Sequence, residues 1–179
     1  MTSIKKKFKD YFKPEGIQQE MLRYRNNGVS SSLGYIGLIS LIVAFCFQYS
    51  NTKITNKDVI NLFGITSNGF LCAFDILVNI LLMLFLFMAI SRMKVYSSGW
   101  GIFSICTGVF EVIRPFIYPI ALLRAGLMSG WLYTLYLICS LIAAASFVTA
   151  GFLSIYRGAA LRNYLKTVDA IEGEKVKIK

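Results

Sequence analysis

The chain has 179 residues, of which 56% are apolar and 16% charged; its net charge is +10 and it contains no histidine. A water-soluble domain is about 45–50% apolar and about 25% charged, so this composition excludes an ordinary soluble, fibrous or disordered chain and indicates a polytopic membrane protein. The missing histidine removes His-based metal sites and Ser–His or Cys–His catalysis.

Residues 1–29 form a basic segment. Ile4, Phe8 and Tyr11 or Phe12 recur at helical spacing, with Lys5, Lys6, Lys7 and Lys9 between them. This predicts a short basic amphipathic helix, suited to an anionic inner leaflet, with Lys5, Lys6, Lys7, Phe8, Lys9 and Phe12 at the membrane surface. Its alternatives are a solvated flank or a docking helix for a partner. Pro14 and Gly16 end it, and a second short helix is expected from Ile17 to Arg25. The first apolar run starts too late for a cleavable signal peptide and reads as a retained signal-anchor.

Four apolar runs follow, at about 30–49, 70–90, 100–123 and 132–156. Each approaches or exceeds the roughly 20 helical residues that cross a bilayer core. Helices are expected because backbone amides in lipid must bond within their own segment. The first connection, Ser50 to Gly69, is rich in turn formers, and its Val59–Phe63 portion suits an interfacial helix. The other two connections are short and predict antiparallel neighbours. Basic residues number 15 in the first 29 positions, the second connection and the tail together, against 3 in the other connections. Both termini are therefore expected in the cytoplasm. The fold expected is an all-α membrane protein: four transmembrane helices in an antiparallel bundle over 30–156, a short N-terminal amphipathic helix, and a basic cytoplasmic tail at 157–179. The localisation expected is the cell membrane, multi-pass, and the Lys- and Ile-rich usage suits a low-GC bacterium.

Charges inside the spans single out one region. Asp75 lies in the second span, and Asn79 is one turn further on the same face. Glu111 and Arg114, three residues apart, share a face of the third span and can pair. An antiparallel arrangement brings Arg114 level with Asp75. The three charges sum to −1, so one carboxylate lacks a full partner, and Arg124 offers a second cation. Ionisable residues at such depth face the bundle interior and pair. Three readings follow: a structural network, a proton- or ion-binding site, and a contact with another membrane subunit. Pro115 and Pro119 predict a kink or break at this place, because proline lacks the N–H that would bond the carbonyl four residues back. The carbonyls of Glu111 and Pro115 are thereby freed.

The fourth span carries small residues at Ser146, Ala150, Ser154 and Gly158, spaced for close helix packing. Gly34, Gly37 and Ser40 form a weaker face on the first, and these two spans are expected to pack together or against another subunit. Matches between the two halves at shifts of 65 and 66, such as Ser31-Ser32 with Ser97-Ser98, leave a parallel duplication open. Trp100, Trp131, Tyr133 and Tyr136 are expected at the membrane interfaces. Cys46, Cys72, Cys106 and Cys139 fall in separate runs and read as packing residues, with a Cys46–Cys72 bridge open. No motif calls for a cofactor, a metal or nucleic acid. The expected activity is that of a non-catalytic subunit or accessory scaffold of a larger membrane complex. The alternative is a small oligomeric transporter or channel using the Asp75, Glu111 and Arg114 site. The expected partners are the lipid bilayer, another membrane protein or a second copy of the chain.

Overall fold

The computed structural model describes residues 27–50, 62 and 68–177. The expected amphipathic helix with Lys5, Lys6, Lys7, Phe8, Lys9 and Phe12 lies outside the described residues, as does the expected interfacial helix at 59–63 apart from Leu62. Every element among the described residues is helical: α1 (Gly28–Tyr49), α2 (Asn68–Met93), α3 (Ser98–Ile113), a single 3-10 turn (Arg114–Phe116), α4 (Tyr118–Arg124) and α5 (Gly130–Lys177). Four stretches are long and apolar enough to cross a membrane, namely Gly28–Tyr49, Gly69–Met93, Ser98–Arg124 and Gly130–Asn163. Each contains the corresponding apolar run and begins one or two residues before it, because helices start in the polar flank where water satisfies the first amides. Large apolar side chains stand outward along all four, among them Ile39, Phe87, Ile113 and Phe152. Such a surface fails in water and suits lipid.

The bundle is organised around α5, which packs against α1 and α3. The contact with α3 is a glycine seam. A Cβ on Gly151 would collide with the carbonyl oxygen of Gly101, and one on Gly101 would meet the Ile155 side chain. Absence of both side chains lets the backbones approach directly. The seam is crossed by hydroxyls that bond main-chain carbonyls: Ser104 Oγ donates to Phe147 O at 2.9 Å, and on the α1 side Ser30 Oγ donates to Ala150 O. Ser146, Ala150, Ser154 and Gly158 are all buried in α5. Between the two ends lies an apolar layer of Leu41, Leu86, Ala143 and Phe147, all fully buried.

The ends are fastened by specific bonds. Asn27 precedes α1 without capping it through its side chain. Its Nδ2 donates instead to Met93 O at 3.4 Å, at the end of α2, and its Oδ1 accepts from Arg157 Nη1 at 3.4 Å. At the end of α4, Gly126 takes φ +70°. The Gly126 and Leu127 amides donate to the carbonyls of Leu123 and Leu122 at 3.1 and 3.0 Å. This is a Schellman stop, which needs a residue tolerant of the left-handed conformation. Leu122 and Leu127 are buried in one cluster beside it. Beyond the span, α5 continues without interruption to Lys177. The sequence from 159 on holds Ala, Leu, Arg, Lys and Glu with no proline, a composition that favours helix.

Candidate functional site

The third span is divided at its charges. Helix α3 ends at Ile113, Arg114–Phe116 turn as a 3-10 segment, and α4 restarts at Tyr118 with Pro119 in its first turn. Pro115 cannot bond the Glu111 carbonyl, and Pro119 cannot bond that of Pro115. Helix α5 supplies a substitute for each. Ser140 Oγ donates to Glu111 O at 2.7 Å, and Tyr133 OH donates to Pro115 O at 3.5 Å. The break is thus held by hydroxyls from the neighbouring helix, as buried backbone polar groups require.

Arg114, turned inward by the break and only 4% exposed, joins α2 to α3. Its Nη2 lies 3.1 Å from both Asp75 oxygens, and its Nη1 lies 3.5 Å from Glu111 Oε1. Asp75 Oδ2 also accepts from Gln48 Nε2 at 2.8 Å, Tyr49 OH at 2.6 Å and Asn79 Nδ2 at 3.2 Å. Asn79 Nδ2 donates to Asp75 O at 2.7 Å as well, and its own Oδ1 is buried without a hydrogen-bond partner. Glu111 is fully buried, and its Oε2 accepts from Ser140 Oγ at 3.4 Å. The four polar residues singled out in the sequence, Asp75, Asn79, Glu111 and Arg114, therefore belong to one network spanning four helices. Arg124 is exposed on α4, and no ion pair joins it to either carboxylate among the described residues.

Sequence reasoning missed Gln48, Tyr49, Ser140 and Tyr136. Tyr136 is fully buried on α5, and its hydroxyl has no hydrogen-bond partner among the described residues. The reason is helical phase: Leu132, Tyr136, Ser140 and Ala143 share the inward stripe of α5. Trp131, by contrast, is exposed. All four cysteines are free thiols, so Cys46 and Cys72 form no bridge. Among the described residues, no group of three Cys, Asp or Glu side chains is placed to hold a metal ion.

A cavity of about 460 Å³ adjoins the network between α2 and the broken third span. Asp75 and Arg114 meet it at one wall, and Phe70, Phe74, Val78 and Phe110 line it elsewhere. Its volume lies within the ~300–1,000 Å³ typical of ligand pockets. Asp75, with 12% of its side chain exposed against 4% for Arg114 and none for Glu111, is the most accessible of the three charges.

These features define a four-span helical chain with a buried polar junction beside an apolar cavity. The chain matches no protein-family model, no curated protein and no solved structure.

Proposed function

We propose that this chain is a non-catalytic subunit or accessory scaffold of a larger membrane complex, working as an antiparallel four-helix bundle with both termini in the cytoplasm. The antiparallel arrangement is supported by the pairing of the start of α1 with the end of α2 through Asn27 and Met93. The cytoplasmic termini are supported by the excess of basic residues in the N-terminal segment, the second connection and the tail. The cell membrane is the corresponding location, and lipid and another membrane protein are the corresponding partners, a second copy belonging to the oligomeric reading below.

The observation that carries the scaffold reading is the apolar layer of Leu41, Leu86, Ala143 and Phe147. A transport path needs a polar lining through the membrane, and this layer interrupts it inside one chain. The internal charges bond to each other and to Gln48, Tyr49, Asn79 and Ser140, as a network that fixes helix register does. A second reading, an oligomeric transporter, is favoured by one observation: the cavity reaches Asp75 and Arg114.

Extraction of the tagged chain from its own membrane into polymer nanodiscs, with native mass determination, tests the first reading. A stoichiometric membrane partner is the expected result. Recovery as a monomer or homo-oligomer alone overturns it. Ion or proton flux that disappears in Glu111→Gln while the protein stays folded would establish the second reading instead.

A further inference from the structure

The cavity beside the ion pair has two properties that together specify a ligand. Its walls are apolar and aromatic. Phe70 and Phe74 are stacked, with centroids 6.4 Å apart, on α2, and Phe110 comes from α3. At one wall stands Asp75, whose Oδ1 accepts only from Arg114 Nη2 among the bonds described, whereas Oδ2 accepts from four donors.

The charge balance fixes the sign of the ligand. Arg114 is shared between Asp75 and Glu111. With both carboxylates ionised, one guanidinium faces two negative charges and the cluster carries a net −1. In surroundings of low dielectric this excess is weakly screened, and Arg124 does not offset it by an ion pair, being exposed on α4. An anion would meet the carboxylate first and have only the already engaged Arg114 to attract it. A neutral apolar molecule would leave the excess charge as it is. A cation with an apolar body satisfies both the charge and the walls, and aromatic faces attract such cations further.

We propose that this cavity binds lipophilic cations, molecules with an alkyl or aryl body and a single positive charge of the quaternary-ammonium or phosphonium type, held by the Asp75–Arg114–Glu111 cluster with both carboxylates ionised and by the rings of Phe70, Phe74 and Phe110. This goes beyond the scaffold reading and does not depend on it, since binding is a property of the isolated chain.

The test uses two probes of the same tetrahedral aryl shape and opposite charge, tetraphenylphosphonium and tetraphenylborate. Equilibrium dialysis is run on the full chain in nanodiscs of zwitterionic lipid, against empty nanodiscs. Saturable binding of the phosphonium at one site per chain is expected, displaced by dodecyltrimethylammonium, with the borate bound no more than by empty discs. Equal binding of both probes, or of neither, overturns the proposal. Glu111→Gln separates charge from contact, because Glu111 is fully buried and is not among the residues lining the cavity. It is expected to weaken phosphonium binding about tenfold. Phe74→Ala, at a wall position 56% exposed and thus tolerant of truncation, is expected to weaken it by a similar factor. Unchanged affinity in both variants overturns the assignment to this cavity.

Discussion

The two ends of the bundle solve the same problem, holding helices together where lipid provides no hydrophobic drive, in opposite ways. At the Gly101–Gly151 end, α3 and α5 approach until backbone meets backbone, and hydroxyls only supplement bonds the helices already make. At the Asp75–Arg114 end the third span is broken, and α5 hydroxyls replace bonds that prolines have removed. The first contact is steric and tolerates no added atom. The second is electrostatic and tolerates no missing one. The same Ser-to-carbonyl bond therefore carries different weight at each end.

The largest effect is expected from removing the cation of the polar end. Arg114→Leu leaves the buried Glu111 and the partly buried Asp75 with no opposite charge. Loss of one partner of a buried pair costs about 3–5 kcal/mol, measurable as a fall in thermal stability in detergent or as loss of folded protein. If electrostatics carries the effect, Asp75→Asn in the Arg114→Leu background recovers part of the loss. If the double variant is worse than the single, Arg114 acts through packing instead. Next comes the steric end. Gly151→Ala forces α3 and α5 apart at a backbone oxygen and is expected to destabilise by about 1–3 kcal/mol, the usual cost of overpacking. Gly130→Ala, where an added Cβ meets nothing within 4 Å, is the control expected to be silent.

The two ends also differ in how far the sequence discloses them. The four spans are legible because lipid demands long apolar helices. The break is legible because Pro115 and Pro119 cannot complete the backbone ladder, and Asp75, Asn79, Glu111 and Arg114 stand out as polar residues in apolar runs. Their partners Gln48, Tyr49 and Ser140 do not, nor does the buried Tyr136, because uncharged polar residues barely disturb hydropathy and only the rotation of each helix decides what they meet. The glycine seam is obscured for a related reason. Small residues on the first and fourth spans suggest that those two pack together, and α1 and α5 do; but Gly101 and Gly108 bring α3 against the backbone of α5, whereas Gly37 meets the Phe147 ring and Gly34 meets Ile90 of α2, and a glycine does not announce which neighbour it admits.

Ser140→Ala is expected to cost about 1–2 kcal/mol, because it strands the Glu111 carbonyl that Pro115 has already deprived of its helical partner. Pro115→Ala provides the check. It restores an N–H four residues after Glu111, so Ser140→Ala measured in that background is expected to cost markedly less. Equal costs in both backgrounds would mean that Ser140 does not serve as the substitute donor.

The smallest effect should come from the matching serine at the other end. Ser104→Ala removes a bond of 2.9 Å to Phe147 O, similar in geometry to that of Ser140. Phe147 lies inside the uninterrupted helix α5, with no proline following, so its carbonyl keeps the bond from the amide four residues on. The serine uses a second lone pair, and its loss strands nothing. Interhelical side-chain bonds of this kind in membranes average about 0.6 kcal/mol, and Ser104→Ala is expected at that level or below. Thermal unfolding of the two serine variants side by side weighs the role of the break, since donor and acceptor type are the same and the distances are 2.9 and 2.7 Å, Ser140 differing only in its further, longer contact of 3.4 Å to Glu111 Oε2. A Ser104→Ala cost equal to that of Ser140→Ala would show that the proline-freed carbonyl adds nothing, and the distinction between the two ends would reduce to the charges alone.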